Sequence, residues 1–189
     1  KKEEKQIQNR ISFLKAAGFL DGTSLTEKGK LAAAVSGYEI QAAELYFSRS
    51  FEDVSVEQLP VILAAIITEE SRGRKKAVAS SVRLKFAAEK VIHKLRMKEI
   101  RFNISMPIRE MDFSLAAPVF AWANGCSLTE LAGFGVPEGD LVRVLRITVQ
   151  LLRTLRDKIP DTFLSDNFHE ALLLINRDVV DAQAQLEVG

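Results

Sequence analysis

The sequence predicts an all-α fold built as a helical bundle, and three features carry the prediction. Apolar residues recur at helical spacing along most of the chain; glycine, proline and capping residues punctuate the runs; and one long run, Pro137–Lys158, is apolar over most of its circumference. A helix on the outside of a globule needs an apolar stripe of only about 100°. One whose polar residues are confined to a narrow strip is expected to be mostly buried by its neighbours.

In chain order, residues 4–17 (EKQIQNRISFLKAA) place Ile7, Ile11 and Leu14 on one face, with Gly18 in the C-cap position. Phe19–Leu25 reads as a short irregular or extended stretch, and Thr26 opens TEKGKLAAAVS, a short helix stopped near Gly37. Tyr38–Arg49 follows, with Ile40, Ala43, Leu45 and Phe47 apolar. Ser55 is expected to cap the helix VEQLPVILAAIITEE, with Gln58 in the capping-box position and Pro60 in the first turns, where its missing N–H is tolerated.

Ser71–Lys76 (SRGRKK) reads as a basic loop able to meet phosphate, a partner or water, and Ala77–Met97 as a long amphipathic helix bearing Val82, Phe86, Ala87, Val91 and Leu95. Residues 98–108 are less regular. A helix over Arg109–Asn124 ends at Gly125, Ser127–Ala132 is a short helical turn, and Gly133–Val136 is a loop. The 137–158 helix has Pro137 near its start and Glu138 and Asp140 in its first turn, where acids suit the macrodipole. A last helix over 163–185 carries Phe168, Ala171, Leu172, Ile175, Val179 and Ala182.

Within the 137–158 helix, Leu141, Val142, Val144, Leu145, Ile147, Val149, Leu151, Leu152 and Leu155 supply the apolar surface. Arg143, Arg146, Gln150, Arg153 and Asp157 fall within roughly 80° of one another. Such an arginine-rich edge faces water, a carboxylate partner or a polyanion.

Composition limits the function classes. The 189 residues are 47% apolar and 27% charged, enough core for one domain or a domain with an appendage. Twenty-six basic and 25 acidic residues leave a formal net charge of +1, which excludes a globally basic nucleic-acid-binding protein but not a local basic surface. The one cysteine, Cys126, excludes an intramolecular disulfide and a thiol metal cluster, and suits a reducing, cytoplasmic setting. No run approaches the roughly 18 apolar residues of a membrane span, and the opening KKEEKQIQNR is not a signal peptide. The chain lacks an initiator Met and opens inside a helical pattern, as expected of a piece of something longer.

Catalytic motifs fail on spacing. Gly29-Lys30 is followed by Leu31 and has Ser24 where the first glycine of a P-loop belongs. Gly133, Gly135 and Gly139 miss the dinucleotide fingerprint by one residue, with no strand before them. His93 and His169 lie on different helices without the spacing of a zinc pair, so no metal ligands are assigned, and Cys126 has no positioned base.

Two motifs invoke families. QIQNRISFLKAAGFLDG followed by LTEKGKLAAAV resembles the closing half of a winged-helix domain, in which a helix feeds a short β-hairpin and a Leu-Thr-x-x-Gly turn; here these are Leu25, Thr26 and Gly29. An ordinary helical hairpin with a turn is the plainer reading. The second succession is PVFAWANGCSLTEL (118–131), VPEGDLVRVLRITVQLLRTL (136–155) and LLLINRDVVDAQAQLEV (172–188). It resembles the DSHCT domain, the helical C-terminal domain of DExH-box helicases of the superkiller and exosome-cofactor type. The residues that carry the likeness are Trp122, Gly125, Glu138, Gly139, Leu141, Val142, Arg143, Arg177, Asp178 and Val180.

The resemblance implies the end of a winged helix over residues 1–36 and a DSHCT bundle over 37–189. It implies a non-catalytic domain, inactive by itself and without cofactor, in a parent ATP-dependent helicase whose motor domains hold ATP and Mg. One helix of the bundle, the ratchet helix, lines a channel for single-stranded RNA or DNA, and the 137–158 helix matches it. The implied strand-contacting residues are Arg143, Arg146, Gln150 and Arg153, with the motor domains of the same chain as further partners, no membrane, and a monomer. Ile147 and Gln150 stand where the family often has a basic and an acidic residue, and LEVG replaces the usual terminus, so a prokaryotic or divergent member is expected.

Other readings of the same residues stay open at this point. Arg143 could be a buried arginine paired with Asp178 or Glu138, Arg146 and Arg153 could be merely solvated, and Trp122 could be core or a base-stacking platform. The whole chain could instead be a helical protein-interaction module whose polar stripe meets an acidic partner.

Overall fold

A computed structural model describes residues 2–69 and 82–181, the side chains of 82–86 excepted. The expected SRGRKK loop, residues 77–81 and residues 182–185 lie outside them. The elements are α1 (Lys2–Ala16), β1 (Leu20–Asp21), β2 (Ser24–Leu25), α2 (Glu27–Ala34), α3 (Glu39–Phe47), α4 (Leu59–Ile67), α5 (Val82–Arg101), α6 (Ala116–Ala123), α7 (Leu128–Leu131), α8 (Glu138–Lys158) and α9 (Thr162–Ile175). The all-α expectation holds. Two compact units comprise Lys1–Ser50 with Phe86–Glu110, and Phe51–Lys85 with Met111–Gly189. The division expected at 36/37 falls inside the first of them.

In the first unit, α1 closes as a Schellman motif: Phe19 N–H donates to the Leu14 carbonyl at 2.8 Å and Gly18 N–H to that of Lys15 at 3.1 Å. The chain then turns through an antiparallel pair with Leu20 opposite Leu25. The Leu-Thr-x-x-Gly turn has a mechanical basis. Thr26 Oγ1 accepts the Gly29 N–H at 3.0 Å, capping α2, and donates to the Gly18 carbonyl at 2.7 Å. A Cβ on Gly29 would stand 2.1 Å from the Phe19 carbonyl oxygen, so only glycine lets α2 lie against the hairpin.

The buried faces of this unit differ from expectation, because polar groups set them. Ile7 is 58% exposed and Ile11 and Leu14 are half-buried, whereas Phe13 and Ala17 are core. Gln6 and Asn9 donate to the Asn103 carbonyl at 3.2 and 3.3 Å, and Arg10 pairs with Glu99 at 3.2 Å. These bonds turn the Gln6–Asn9–Arg10–Phe13 face inward, where Phe13 meets Phe102 edge-on. On α5 the buried positions are Ala88, Ile92, Leu95 and Glu99, one residue on from the expected Ala87 and Val91. The helix also continues to Arg101, past the expected end at Met97. Glu99 fixes the register: its carboxylate accepts the Ile108 N–H at 2.5 Å as well as pairing with Arg10. Burial pushes the Glu99 pKa up, against the pull of the Ile108 N–H, Arg10 and Arg96.

The second unit is organised on α4, in which every residue from Leu59 to Ile67 is buried and which packs against α6, α8 and α9. Gln58 accepts the Ser55 N–H at 3.3 Å as the capping-box pattern predicts, but α4 itself starts at Leu59 with Pro60 in its first turn. Phe51 meets Phe168 of α9 edge-on at 5.2 Å. The single helix expected over Arg109–Asn124 is instead a 3-10 turn at Phe113–Leu115 followed by α6. Asp112 breaks it, because its N–H donates to the Ala65 carbonyl of α4 at 2.8 Å and its side chain accepts the Ser114 N–H at 2.8 Å. The turn at Ser127 is as expected and carries a full capping box with Glu130, whose pKa the Ser127 N–H and hydroxyl hold down.

Candidate nucleic-acid interface

The 21 residues of α8 run unbroken because acids occupy the first turn, Arg156 and Lys158 the last, and after Gly139 in that first turn no glycine or proline interrupts the helix. Ile159 ends the helix in an extended conformation before Pro160, and Asp161 accepts the Leu164 N–H at 2.9 Å to cap α9. Buried along α8 are Leu141, Val144, Leu145, Thr148, Val149, Leu151, Leu152 and Leu155. On helical geometry they span an arc of about 160°. That is narrower than expected: Val142 and Ile147 are half-exposed, and Thr148 is core because its hydroxyl donates to the Val144 carbonyl at 2.8 Å.

The opposite edge carries the expected stripe. Arg143, Gln150 and Asp157, two turns apart, are exposed, with Arg146 and Arg153 half-buried beside them. Their engagements differ. Arg143 makes no ion pair among the described residues, so the alternative in which it is buried and paired with Asp178 or Glu138 is not what forms. Asp178 instead takes Arg177, at 2.8 Å. Arg153 Nη1 donates to Gln150 Oε1 at 3.2 Å, within the stripe itself. Arg146 reaches off α8 and donates from Nη2 to the Val179 carbonyl at 2.6 Å. Asp157 accepts Arg156 Nε at 2.7 Å, and that bond holds its pKa down.

A second arginine explains why the Val179 carbonyl is there to be met. The helix expected to run to 185 ends at Ile175, and a 3-10 turn over Asp178–Val180 follows. Arg177 stops it: its guanidinium stacks 3.7 Å from the Trp122 ring centroid and donates from Nη2 to the Trp122 and Cys126 carbonyls at 2.9 and 2.7 Å. Trp122 is fully buried and donates from Nε1 to the Ile175 carbonyl at 2.9 Å, so it is core, not a base-stacking platform. Gly125, at φ +92°, turns the chain so that the Cys126 carbonyl reaches Arg177. Trp122, Gly125, Arg177 and Asp178 thus form one clasp, and Arg146 ties α8 to its far end. The sequence displayed these residues as a pattern of order and spacing without showing that they touch.

Among the described residues, no group of His, Cys, Asp or Glu is arranged to hold a metal ion, and no helix is long and apolar enough to cross a membrane. What the stripe offers is guanidinium and amide donors on a rigid helix, a surface suited to phosphate and carboxylate acceptors.

A family model of the DSHCT (NUC185) domain matches residues 22–183. The chain is 24% identical over 188 residues to Superkiller complex protein 2 of Mus musculus, covering 94% of this chain and 15% of that protein. It is 27% identical over 192 residues to the DExH-box ATP-dependent RNA helicase DExH9 of Arabidopsis thaliana, covering 96% and 19%. With the exosome RNA helicase MTR4 of Homo sapiens it shares 25% over 193 residues, covering 94% and 18%. The chain therefore spans less than a fifth of the length of these relatives.

Proposed function

The chain belongs to the DSHCT (NUC185) family, and on that premise we propose that it is a non-catalytic C-terminal domain of an ATP-dependent DExH-box helicase, with α8 lining a path for single-stranded nucleic acid. RNA is the favoured strand, because the relatives are RNA helicases by name. ATP and Mg belong to motor domains elsewhere in the parent protein, residues 1–36 complete a winged helix, and a cytoplasmic setting is part of the same reading. The observation that carries it is the stripe itself: exposed Arg143 and Gln150 with Arg153 beside them, on a helix whose other side is anchored in the core.

The division of labour within the stripe follows from the bonds. Arg143 and Arg153 contribute phosphate contacts, and Gln150 adds neutral donors that tolerate any base. Arg146 has one of its five donors committed to Val179 and holds α8 in place.

The test is anisotropy of a labelled single-stranded RNA against salt, with this chain and again with motor domains attached. Affinity is expected to fall as log salt rises, and replacing Arg143 and Arg153 by Ala should make the slope shallower by about 1.4, at roughly 0.7 per phosphate contact on a single strand. Salt-independent binding, or none in either form, would sink the reading in favour of a protein-interaction module.

A further inference from the structure

We infer that the outward face of α9 is a docking surface for a basic, amphipathic helical segment of a partner protein. The core face of α9 is Leu164, Phe168, Ala171, Leu172 and Ile175. Diametrically opposite, Phe163, Asp166, Glu170 and Leu173 fall within about 80° of one another on helical geometry and extend along about 15 Å of the axis. Phe163 is 73% exposed and Leu173 61%, so α9 carries a second pair of large apolar side chains facing away from the unit that its first set builds. Phe163 and Leu173 stand at the two ends of this face with the two acids between them, an amphipathic strip rather than a continuous apolar patch.

Charge selects the occupant. Asp166 and Glu170 are exposed between the two apolar residues, and neither makes an ion pair among the described residues. Two exposed carboxylates repel a nucleic-acid backbone and an anionic membrane alike, which points to a protein segment. Its chemistry is the complement: apolar residues at helical spacing to cover Phe163 and Leu173, flanked by Lys or Arg to meet Asp166 and Glu170. This face is separate from the arginine stripe of α8 and opposite to it in sign, so the inference does not depend on the nucleic-acid reading. Phe163 is the anchor, because a large rigid ring contributes most when fully covered.

The probe is a fluorescein-labelled 18-residue helical peptide with leucine along one face and lysine on its flanks, titrated into the 189-residue chain. Saturable binding is expected. F163S with L173S, and separately D166K with E170K, should each weaken it at least tenfold, and a matched peptide with glutamate for lysine should not bind. All four positions are exposed, and an unchanged helical circular dichroism spectrum shows that the variants fold. Binding that ignores both pairs of substitutions, or fails to saturate, overturns the proposal. So does self-association of the chain that the same substitutions abolish, which makes a second copy the occupant. Loss of peptide binding in the whole parent protein would assign the face to another part of the same polypeptide, and likewise overturns it.

Discussion

Arg143 and Arg146 stand three residues apart on the same stripe of α8, yet the two are held in different ways. Arg143 lies in the open and makes no ion pair among the described residues; Arg146 is half-buried and spends a donor on the Val179 carbonyl. The difference is supplied from outside the helix, by the turn that Arg177 and Trp122 hold beside it. An arginine's place in a helical pattern therefore reports its direction, while its role depends on which carbonyl the next element delivers. The clasp is architecture and the open edge is available for chemistry.

Four substitutions break or sharpen that contrast. Trp122→Ala should have the largest effect, about 3–5 kcal/mol of stability lost in a denaturant titration, because it leaves a cavity and removes the surface on which Arg177 stacks. Arg177→Ala comes next, at about 2–3 kcal/mol, because the stacking on Trp122 and two charge-assisted bonds are lost, with the Trp122 carbonyl keeping only the Gly125 N–H and the Cys126 carbonyl losing its Arg177 donor. Lysine should rescue little of this, since one ammonium cannot stack on the ring and serve both carbonyls as the planar guanidinium does. Arg146→Ala should cost about 1–2 kcal/mol and lower the melting temperature by a few degrees. Arg143→Ala should leave stability within about 0.5 kcal/mol, as expected of an exposed side chain that makes no ion pair among the described residues. A large loss of stability from Arg143→Ala would erase the contrast.

A buried charge in the other unit gives a pH-dependent counterpart. Glu99 has its pKa raised above the ordinary carboxylate value by burial. The folded state therefore holds this proton more tightly than the unfolded chain, and stability falls as pH rises from the unfolded carboxylate range through the raised value. Glu99→Gln keeps an acceptor for the Ile108 N–H and removes the titration, so its stability should be flatter than that of the parent over that window. A parallel pH profile for the two would show that Glu99 is not the group responsible.

The parts of the fold that were legible in the sequence are those set by local chemistry. Gly18, Thr26 with Gly29, the short turn that opens at Ser127 and the extent of α8 rest on bonds within a few residues of one another. The misplacements occur where a distant group intervened. Asp112 N–H reaches Ala65 and splits the 109–124 helix, Arg177 finds the Trp122 and Cys126 carbonyls and ends α9 early, and Gln6, Asn9 and Arg10 turn α1 away from its apolar face. For the candidate site, periodicity placed Arg143, Arg146, Gln150 and Arg153 on one edge of α8. It could not separate them, because the Val179 carbonyl is 33 residues from Arg146 along the chain. On α9, helical spacing puts Phe163 and Leu173 opposite Phe168 and Leu172, and burial shows which of the two apolar sets is the core.

The most direct test sets Arg143→Ala and Arg146→Ala side by side in one salt titration of a labelled single-stranded RNA, with each variant's melting temperature recorded. The expected result for Arg143→Ala is a slope shallower by about 0.7 at unchanged melting temperature, and for Arg146→Ala the parental slope at a lowered melting temperature. The reverse assignment, with the slope changed by Arg146→Ala and untouched by Arg143→Ala, would contradict the account.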